Sequence, residues 1–306
     1  MIFLLILLLG VGFTLLVKGA DWFVDGASGL ARKFGIPQLV IGLTIVAMGT
    51  SIPEAAVSIT AALKENADIA VGNVVGSNIL NILIILGLAS VIAPLTVRKS
   101  TFKVEIPFMV MITVVFVLLG RSGKGISKSE GIVLWVLFLI YLAYLFVLAK
   151  NSKEEKQEVE KRTFKLLFYI FAGAVVVVAG SDITVDSATE IAKILGVGER
   201  FIGLTIVALG TSLPELVTSV VAARKGNADI AVGNIVGSNI FNILFVLGTS
   251  ALITPVPYQA EFFADGIFAV AAGVLLWVFC LKNKKLMRPG GIVMLLCYAA
   301  YFLYLL

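Results

Sequence analysis

The sequence predicts an all-α membrane protein in which ten transmembrane helices form two inverted-topology repeats of five helices each. Two observations support this prediction. The 306 residues are 59% hydrophobic and only 14% charged, which is far from the composition of soluble domains. Residues 41–87 also recur as residues 202–248, at an offset of 161 and without a gap, and 34 of the 47 aligned positions are identical. Repetition on this scale indicates a duplicated structural unit.

Apolar segments long enough to cross a bilayer occur throughout the chain. Each half has five of them, and because five is an odd number the second half must enter the membrane from the opposite side. We therefore predict a first repeat at residues 1–149, a linker at 150–165 and an inverted second repeat at 166–306. The ten predicted spans lie near residues 2–28, 37–63, 69–95, 104–120, 131–149, 166–190, 201–223, 229–254, 262–281 and 289–306.

The basic residues predict the orientation of the chain. The linker reads KNSKEEKQEVEKRTFK, a mixed-charge composition typical of a solvated segment. If the N-terminus is extracellular, 18 of the 24 Lys and Arg residues fall at cytoplasmic ends, as the positive-inside rule requires. We therefore expect both termini to be extracellular and the linker to be cytoplasmic. The net charge of +5 reflects this bias, and we expect no nucleic-acid partner.

The first part of the repeated segment combines a helix break with a lone acid. GTSIPE ends at Glu54 and its copy GTSLPE ends at Glu215, and each glutamate is the only charge in a long apolar segment. Proline lacks an N–H group and crowds the carbonyl four residues before it, so Pro53 and Pro214 should break their helices. A break at membrane depth is tolerated where the freed carbonyls line a cavity. Ser51, Glu54 and Ser58, and likewise Ser212, Glu215 and Ser219, are predicted to share a helical face.

The second part of the repeated segment is an apolar helix with one polar stripe. In GNVVGSNILN, Asn73, Ser77 and Asn81 are spaced four residues apart, and Asn234, Ser238 and Asn242 repeat them. Asn73 and Asn234 are equally well explained by hydrogen bonds to a neighbouring helix, and the glycines of this motif are better explained by close helix packing than by ligand binding. The motifs of the two halves should meet at the centre of the protein.

The chemistry of this predicted site favours hard cations. The chain has no histidine, and Cys280 and Cys297 lie in the last two helices, where we expect apolar packing rather than a disulfide or a metal site. Oxygen ligands suit Ca²⁺ and Na⁺, and suit Mg²⁺ less because it retains its water. Two buried carboxylates without Lys or Arg must bind protons or cations. One Ca²⁺ or two Na⁺ would balance them, and no prosthetic group is predicted.

These motifs resemble those of the sodium/calcium exchangers of the cation/Ca²⁺ antiporter superfamily, particularly its small prokaryotic members. The resemblance covers essentially the whole chain and implies exchange of Na⁺ for Ca²⁺ by alternating access in a prokaryotic cell membrane. It implies no enzymatic activity, and we expect a monomer in the lipid bilayer without a large calcium-sensing domain. It also implies a set of oxygen ligands from both repeats: Glu54, Glu215, Thr50, Thr211, Ser51, Ser212, Ser77, Ser238, Asn81, Asn242, and the carbonyls of Ala47 and Ala208.

One position departs from the pattern of some relatives, and three other functions stay open. Some relatives have an acid at the position of Asn242, where it accompanies potassium dependence in some exchangers, so stoichiometry and K⁺ involvement are open here.

A cation/proton exchanger using the same glutamates is the main alternative, and a channel is another. An intramembrane hydrolase would need a dyad such as Asp21 and Asp182, but no hydrolase motif accompanies them. We interpret these aspartates, with Asp25 and Asp186, as a solvated rim.

Overall fold

Helices make up most of the described chain. The structure is a computed structural model, and it describes residues 2–64, 67–122, 125–152, 162–196, 208–259 and 261–305. Within these residues, four short π-helical turns interrupt the α-helices. The α-helices are α1 (Ile2–Phe34), α2 (Gln38–Ile41), α3 (Ala47–Thr50), α4 (Ile52–Leu63), α5 (Asp68–Leu80), α6 (Gly87–Ile92), α7 (Ile106–Ser122), α8 (Lys128–Asn151), α9 (Thr163–Ile194), α10 (Ala208–Thr211), α11 (Leu213–Arg224), α12 (Ala228–Phe241), α13 (Gly248–Ile253), α14 (Glu261–Phe279) and α15 (Arg288–Leu305). The π-helical turns are π1 (Gly42–Val46), π2 (Asn81–Leu86), π3 (Thr101–Glu105) and π4 (Asn242–Leu247).

Eight helices of the described chain are long and apolar enough to cross a membrane. A bent pair, Gln38–Thr50 with Ile52–Leu63, raises this number to nine if it forms one span. The remaining predicted span, near 201–223, begins among residues 197–207, which lie outside the described residues, so the number ten stays a prediction. The eight helices are Ile2–Phe34, Ile69–Ile92, Thr101–Arg121, Lys128–Asn151, Thr163–Ile194, Ala228–Ile253, Phe262–Phe279 and Arg288–Leu305.

The two helices that carry the asparagine-rich motif form the centre of the protein. In the most apolar part of Ala228–Ile253, 94% of the residues are buried, and the value for Ile69–Ile92 is 72%. The corresponding value is only 17% for both Ile2–Phe34 and Arg288–Leu305. An apolar helix that leaves most of its surface uncovered suits a lipid environment. These two helices therefore form the protein interior, and the first and last helices lie at its periphery.

The long helices α1 and α9 pack against each other through glycines. A Cβ added to Gly19 would lie 2.7 Å from the backbone nitrogen of Val177, and one added to Gly180 would lie 2.7 Å from that of Leu16. Small residues at such positions let helix backbones approach closely in membranes. Any larger side chain would push these two helices apart.

In the described part of the chain, two short antiparallel β-sheets connect its two halves. Strand β1 (Leu95–Thr96) pairs with β4 (Lys285–Leu286), and β2 (Gly125–Ile126) pairs with β3 (Val256–Pro257). The offset of 161 relates β1 to β3, and it relates β2 to β4 with a shift of one residue. The two pairings are thus repeat-related, and each joins a strand of one half to a strand of the other.

Local sequence signals set several helix ends. A capping box starts α8, because Ser127 Oγ accepts from the Glu130 backbone N–H while the Glu130 carboxylate accepts from the Ser127 backbone N–H. Gly226, with φ of +76°, follows the end of α11, in the left-handed conformation that glycine supplies at helix C-termini.

Candidate ion-binding site

Both glutamate motifs lie on broken helices. The helix axis bends by 51° between α3 and α4, where Ser51 has φ of −83° and ψ of 11°. Pro53 lies in the first turn of α4, so the predicted break is confirmed. Ser212 has φ of −92° and ψ of 3° between α10 and α11. Each acid therefore occupies the first turn of a new helix, where the exposed N–H groups favour negative charge.

The glutamates of the two repeats are buried together. Glu54 and Glu215 are both 0% exposed, and their carboxyl groups are close enough to interact electrostatically. The adjacent serines cross between the repeats: Ser51 Oγ donates to Glu215 Oε1 at 2.7 Å, and Ser212 Oγ donates to Glu54 Oε1 at 3.0 Å. The prediction placed each serine on the helical face of its own glutamate. Because the serine occupies the bend, it reaches the other glutamate instead.

Asn73 and Asn234 tie each glutamate helix to its neighbour. Asn73 Nδ2 donates to Ser58 Oγ, and Asn234 Nδ2 donates to Ser219 Oγ, both at 2.9 Å. Each amide also lies near the backbone carbonyl of the glutamate in its own repeat, at 3.2 Å and 3.5 Å respectively. These contacts match the interhelical role that the sequence left open for the two asparagines.

A second group of asparagines joins the two central helices. Asn78 Nδ2 donates to the carbonyl of Asn239 at 3.2 Å, and Asn239 Nδ2 donates to the carbonyl of Asn78 at 3.1 Å. Asn81 Nδ2 donates to Asn239 Oδ1 at 3.0 Å, and Asn242 Nδ2 donates to Asn78 Oδ1 at 3.1 Å. The prediction did not single out Asn78 and Asn239, although their repetition within GSN was a visible signal. They fix the orientation of the Asn81 and Asn242 amides.

Among the predicted ligands, four buried carboxylate and amide oxygens have no hydrogen-bond donor in the described part of the chain. They are Glu54 Oε2, Glu215 Oε2, Asn81 Oδ1 and Asn242 Oδ1. The repeat relates the two glutamate atoms to each other, and likewise the two asparagine atoms. Buried oxygens normally have a partner, and an exception calls for an explanation such as an ion. Asn81 and Asn242 also begin π2 and π4, a helix irregularity frequent at functional sites.

Some of the remaining predicted ligands hydrogen-bond to one another. Ser238 Oγ lies 2.9 Å from Ser51 Oγ and 3.3 Å from the Ala47 carbonyl. Thr50 Oγ1 lies 3.1 Å from Asn234 Oδ1. The Ala47 carbonyl thus accepts from Ser238 of the second repeat as well as from the Ser51 backbone N–H of its own.

The residues that the repeat relates to Thr50, Ser238 and Ala47 have different surroundings. The buried Thr211 Oγ1 has no hydrogen-bond partner among the described residues. Ser77 is buried but borders a cavity of about 210 Å³ that Phe262 and Tyr298 also line. Ala208 starts α10, and the chain just before it lies outside the described residues. The site is therefore symmetric at its centre and asymmetric at its edge.

No basic side chain of the described residues lies within 4 Å of either glutamate, and no three His, Cys, Asp or Glu side chains of that part of the chain form a cluster. A cation here would have two carboxylates and would take its other ligands from hydroxyl, amide and carbonyl oxygens. These are the ligands of Ca²⁺ and other hard cations.

Known proteins share the sequence and fold of this chain. It matches the family described as sodium/calcium exchanger protein over residues 4–147 and 165–306. It is 40% identical to inner membrane protein YrbG of Escherichia coli over 88% of each protein, and 37% identical to sodium/calcium exchanger MaX1 of Methanosarcina acetivorans over 98% of this chain and 97% of MaX1. A structure of the sodium-calcium exchanger NCX_Mj, soaked without Na⁺ and Ca²⁺, superposes with a TM-score of 0.88 at 34% identity and covers 100% of both chains. With nearly its whole length matched in sequence and fold, the chain belongs to the sodium/calcium exchanger family of membrane transporters.

Proposed function

We propose that this protein exchanges Na⁺ for Ca²⁺ at one central site. The four unpartnered oxygens carry this proposal, because all are buried and related in pairs by the repeat, and two of them belong to carboxylates that have no basic partner among the described residues. An ionised carboxylate buried without a counter-charge is costly. A bound cation removes that cost and supplies the missing partner for all four oxygens.

The ligands come from both repeats. Glu54 and Glu215 supply the charge, and Asn81 and Asn242 supply amide oxygens whose orientation is fixed by Asn78 and Asn239. The other proposed ligands are hydroxyl and carbonyl oxygens: Thr50, Ser51, Ser77, Thr211, Ser212, Ser238, and the carbonyls of Ala47 and Ala208. Ca²⁺ takes six to eight oxygens, so a single Ca²⁺ uses much of this set, and Na⁺ ions compete for the same atoms.

Alternating access follows from the proposed architecture. We place ten spans in two inverted repeats, with both termini extracellular and the linker cytoplasmic. The reciprocal contacts between the repeats support this arrangement, since each contact on one side has a counterpart at the offset of 161. Exchanging the conformations of two such repeats turns an outward-open site into an inward-open one. MaX1 and NCX_Mj are both named as sodium/calcium exchangers, which supports Na⁺ as the counter-ion.

Flux in proteoliposomes tests this function. We expect ⁴⁵Ca²⁺ uptake to require an opposing Na⁺ gradient and to stop when the opposite compartment holds no counter-ion. If three Na⁺ exchange for one Ca²⁺, one net charge crosses per cycle, and the flux responds to voltage with about 2.3 kcal/mol per 100 mV. Uptake driven by a proton gradient in the absence of Na⁺ would instead identify a cation/proton exchanger, and uptake without any counter-ion would identify a channel.

A further inference from the structure

A third acid is buried in the membrane-spanning part of the protein, outside the proposed ion site. Glu105 is 0% exposed and ends π3 in the span Thr101–Arg121. The position 161 residues later is Gly266, so Glu105 does not belong to the duplicated motif. The π2 and π4 turns each begin at a proposed ligand. The π3 turn is another irregularity of the same type, and it carries an acid of its own.

The side chains around Glu105 are two tyrosines, the buried Thr101 and apolar residues. Tyr144 donates a hydrogen bond to Glu105 Oε1. Glu105 Oε2 and the Tyr141 hydroxyl are buried and have no hydrogen-bond partner among the described residues. All three side chains line one cavity of about 200 Å³, whose other walls are Val104, Phe108 and Ile140. These tyrosines are the titratable groups that interact with Glu105 in the described part of the chain.

From this geometry we propose that Glu105 is a proton-binding site and carries a neutral carboxylic acid in the membrane. No Lys or Arg of the described residues lies within 4 Å of it, and an ionised carboxylate without a partner is costly there. A metal cation would need more oxygens than one carboxyl group, two phenols and the Thr101 hydroxyl provide. A proton needs only Glu105 Oε2, while Glu105 Oε1 accepts from Tyr144. The Tyr141 hydroxyl in the same cavity is available as an acceptor.

Infrared spectroscopy at neutral pH tests this proposal without using transport. With saturating Ca²⁺ to keep the central glutamates ionised, we expect a carbonyl band of a protonated acid that Glu105→Gln removes. Tyr144→Phe should keep that band and move it to higher wavenumber, because a hydrogen bond to the carbonyl is lost. Glu190→Gln is the matched control, since Glu190 is exposed and paired with Lys193, and it should leave the band unchanged.

Chemical labelling provides a second measurement that needs no variant. A hydrophobic carbodiimide reacts with protonated carboxyl groups in apolar surroundings, and mass spectrometry locates the product. We expect Glu105 to be labelled whether or not Ca²⁺ is present. Absence of the infrared band together with absence of labelling would show that Glu105 is ionised and would overturn the proposal. Neither result depends on whether Na⁺ drives Ca²⁺ transport.

An independent observation concerns two repeat-related lysines. Lys225 Nζ lies 2.9 Å from Asp25 Oδ1 and 3.1 Å from Asp21 Oδ1, and so ties the end of α11 to α1. The same offset relates Lys225 to Lys64. It also relates the two aspartates to Asp182 and Asp186, so the sequence offers the same link between α4 and α9.

Only one of the two links is formed. Among the described residues, Lys64 makes no ion pair with Asp182 or Asp186. Asp182 and Asp186 instead lie close enough to repel each other electrostatically. Building on the proposed inverted repeats, which place the two links on opposite membrane faces, we infer that they are alternating latches. Each conformation of the exchanger closes one latch and opens the other. The solvated rim predicted for these aspartates is therefore, on one side, an ion-paired contact.

Cysteine cross-linking tests the latches in a Cys280→Ser, Cys297→Ser background. We expect both Asp25→Cys with Lys225→Cys and Asp186→Cys with Lys64→Cys to form disulfides during turnover, each stopping flux until reduced. In the protein with all four cysteines, forming one disulfide should prevent the other. Free formation of both disulfides in one molecule, or no cross-link at 64 and 186, would overturn the latches. Cross-links are scored on gels, so this result stays separate from the identity of the counter-ion.

Discussion

Removing one central charge should weaken Ca²⁺ binding more than Na⁺ binding. Glu54→Gln and Glu215→Gln each delete one negative charge at nearly constant shape. Both side chains are 0% exposed, so solvent screens them poorly. At an effective dielectric of about 20, unit charges about 4 Å apart interact by about 4 kcal/mol. A monovalent ion therefore loses about 4 kcal/mol and a divalent ion about twice that, before the reduced desolvation cost offsets part of the loss.

The assay is equilibrium ion binding to each purified variant. Even if half of the loss for Ca²⁺ is offset, about 4 kcal/mol remains, which is about a thousandfold in affinity. We expect the two variants to behave alike, because their serine contacts are reciprocal at 3.0 Å and 2.7 Å. Glu190→Gln, at an exposed acid, is the control and should bind normally. If either central variant keeps its Ca²⁺ affinity within about tenfold of the original, the electrostatic reasoning is wrong.

Three further predictions concern stability. Ser51→Ala and Ser212→Ala each leave a buried carboxyl oxygen without its donor and should lower the ion-free unfolding free energy by about 1–3 kcal/mol, seen as a lower Tm. An unchanged Tm would contradict these contacts. Gly237→Ala should cost about 1–3 kcal/mol, because its Cβ would lie 2.8 Å from the Leu43 carbonyl oxygen. Gly76→Ala, with no described atom within 4 Å of the added Cβ, should be nearly neutral. Equal losses of unfolding free energy in the two glycine variants would refute the close packing at Gly237. Ca²⁺ at 100 times its Kd should stabilise the protein by about 2.7 kcal/mol, and a Tm that ignores Ca²⁺ would contradict specific binding.

The sequence was sufficient to predict the helical membrane fold and the central acids. The repeated motif identified Glu54 and Glu215, because a lone charge in an apolar segment is already exceptional. It also predicted the break at Pro53, which depends only on the local geometry of proline.

The sequence could not predict which side chains of one repeat contact residues of the other repeat. Helical periodicity assigns Ser51 to the face of Glu54, but the bend sends it to Glu215. The link from Asn78 to the Asn239 carbonyl is likewise set by tertiary packing, not by spacing within one helix. Glu105 escaped notice because neither a repeat nor a motif marks it, and its burial appears only in the folded chain.

The central claim is that mobile cations supply the counter-charge for two buried carboxylates and compete for the same oxygens. Equilibrium ⁴⁵Ca²⁺ binding to the purified protein, measured while Na⁺ is raised, tests it most directly. We predict one Ca²⁺ per chain at zero Na⁺ and its complete displacement by Na⁺, with no binding in the double variant Glu54→Gln, Glu215→Gln. Ca²⁺ that Na⁺ fails to displace, or that still binds the double variant, would contradict the claim.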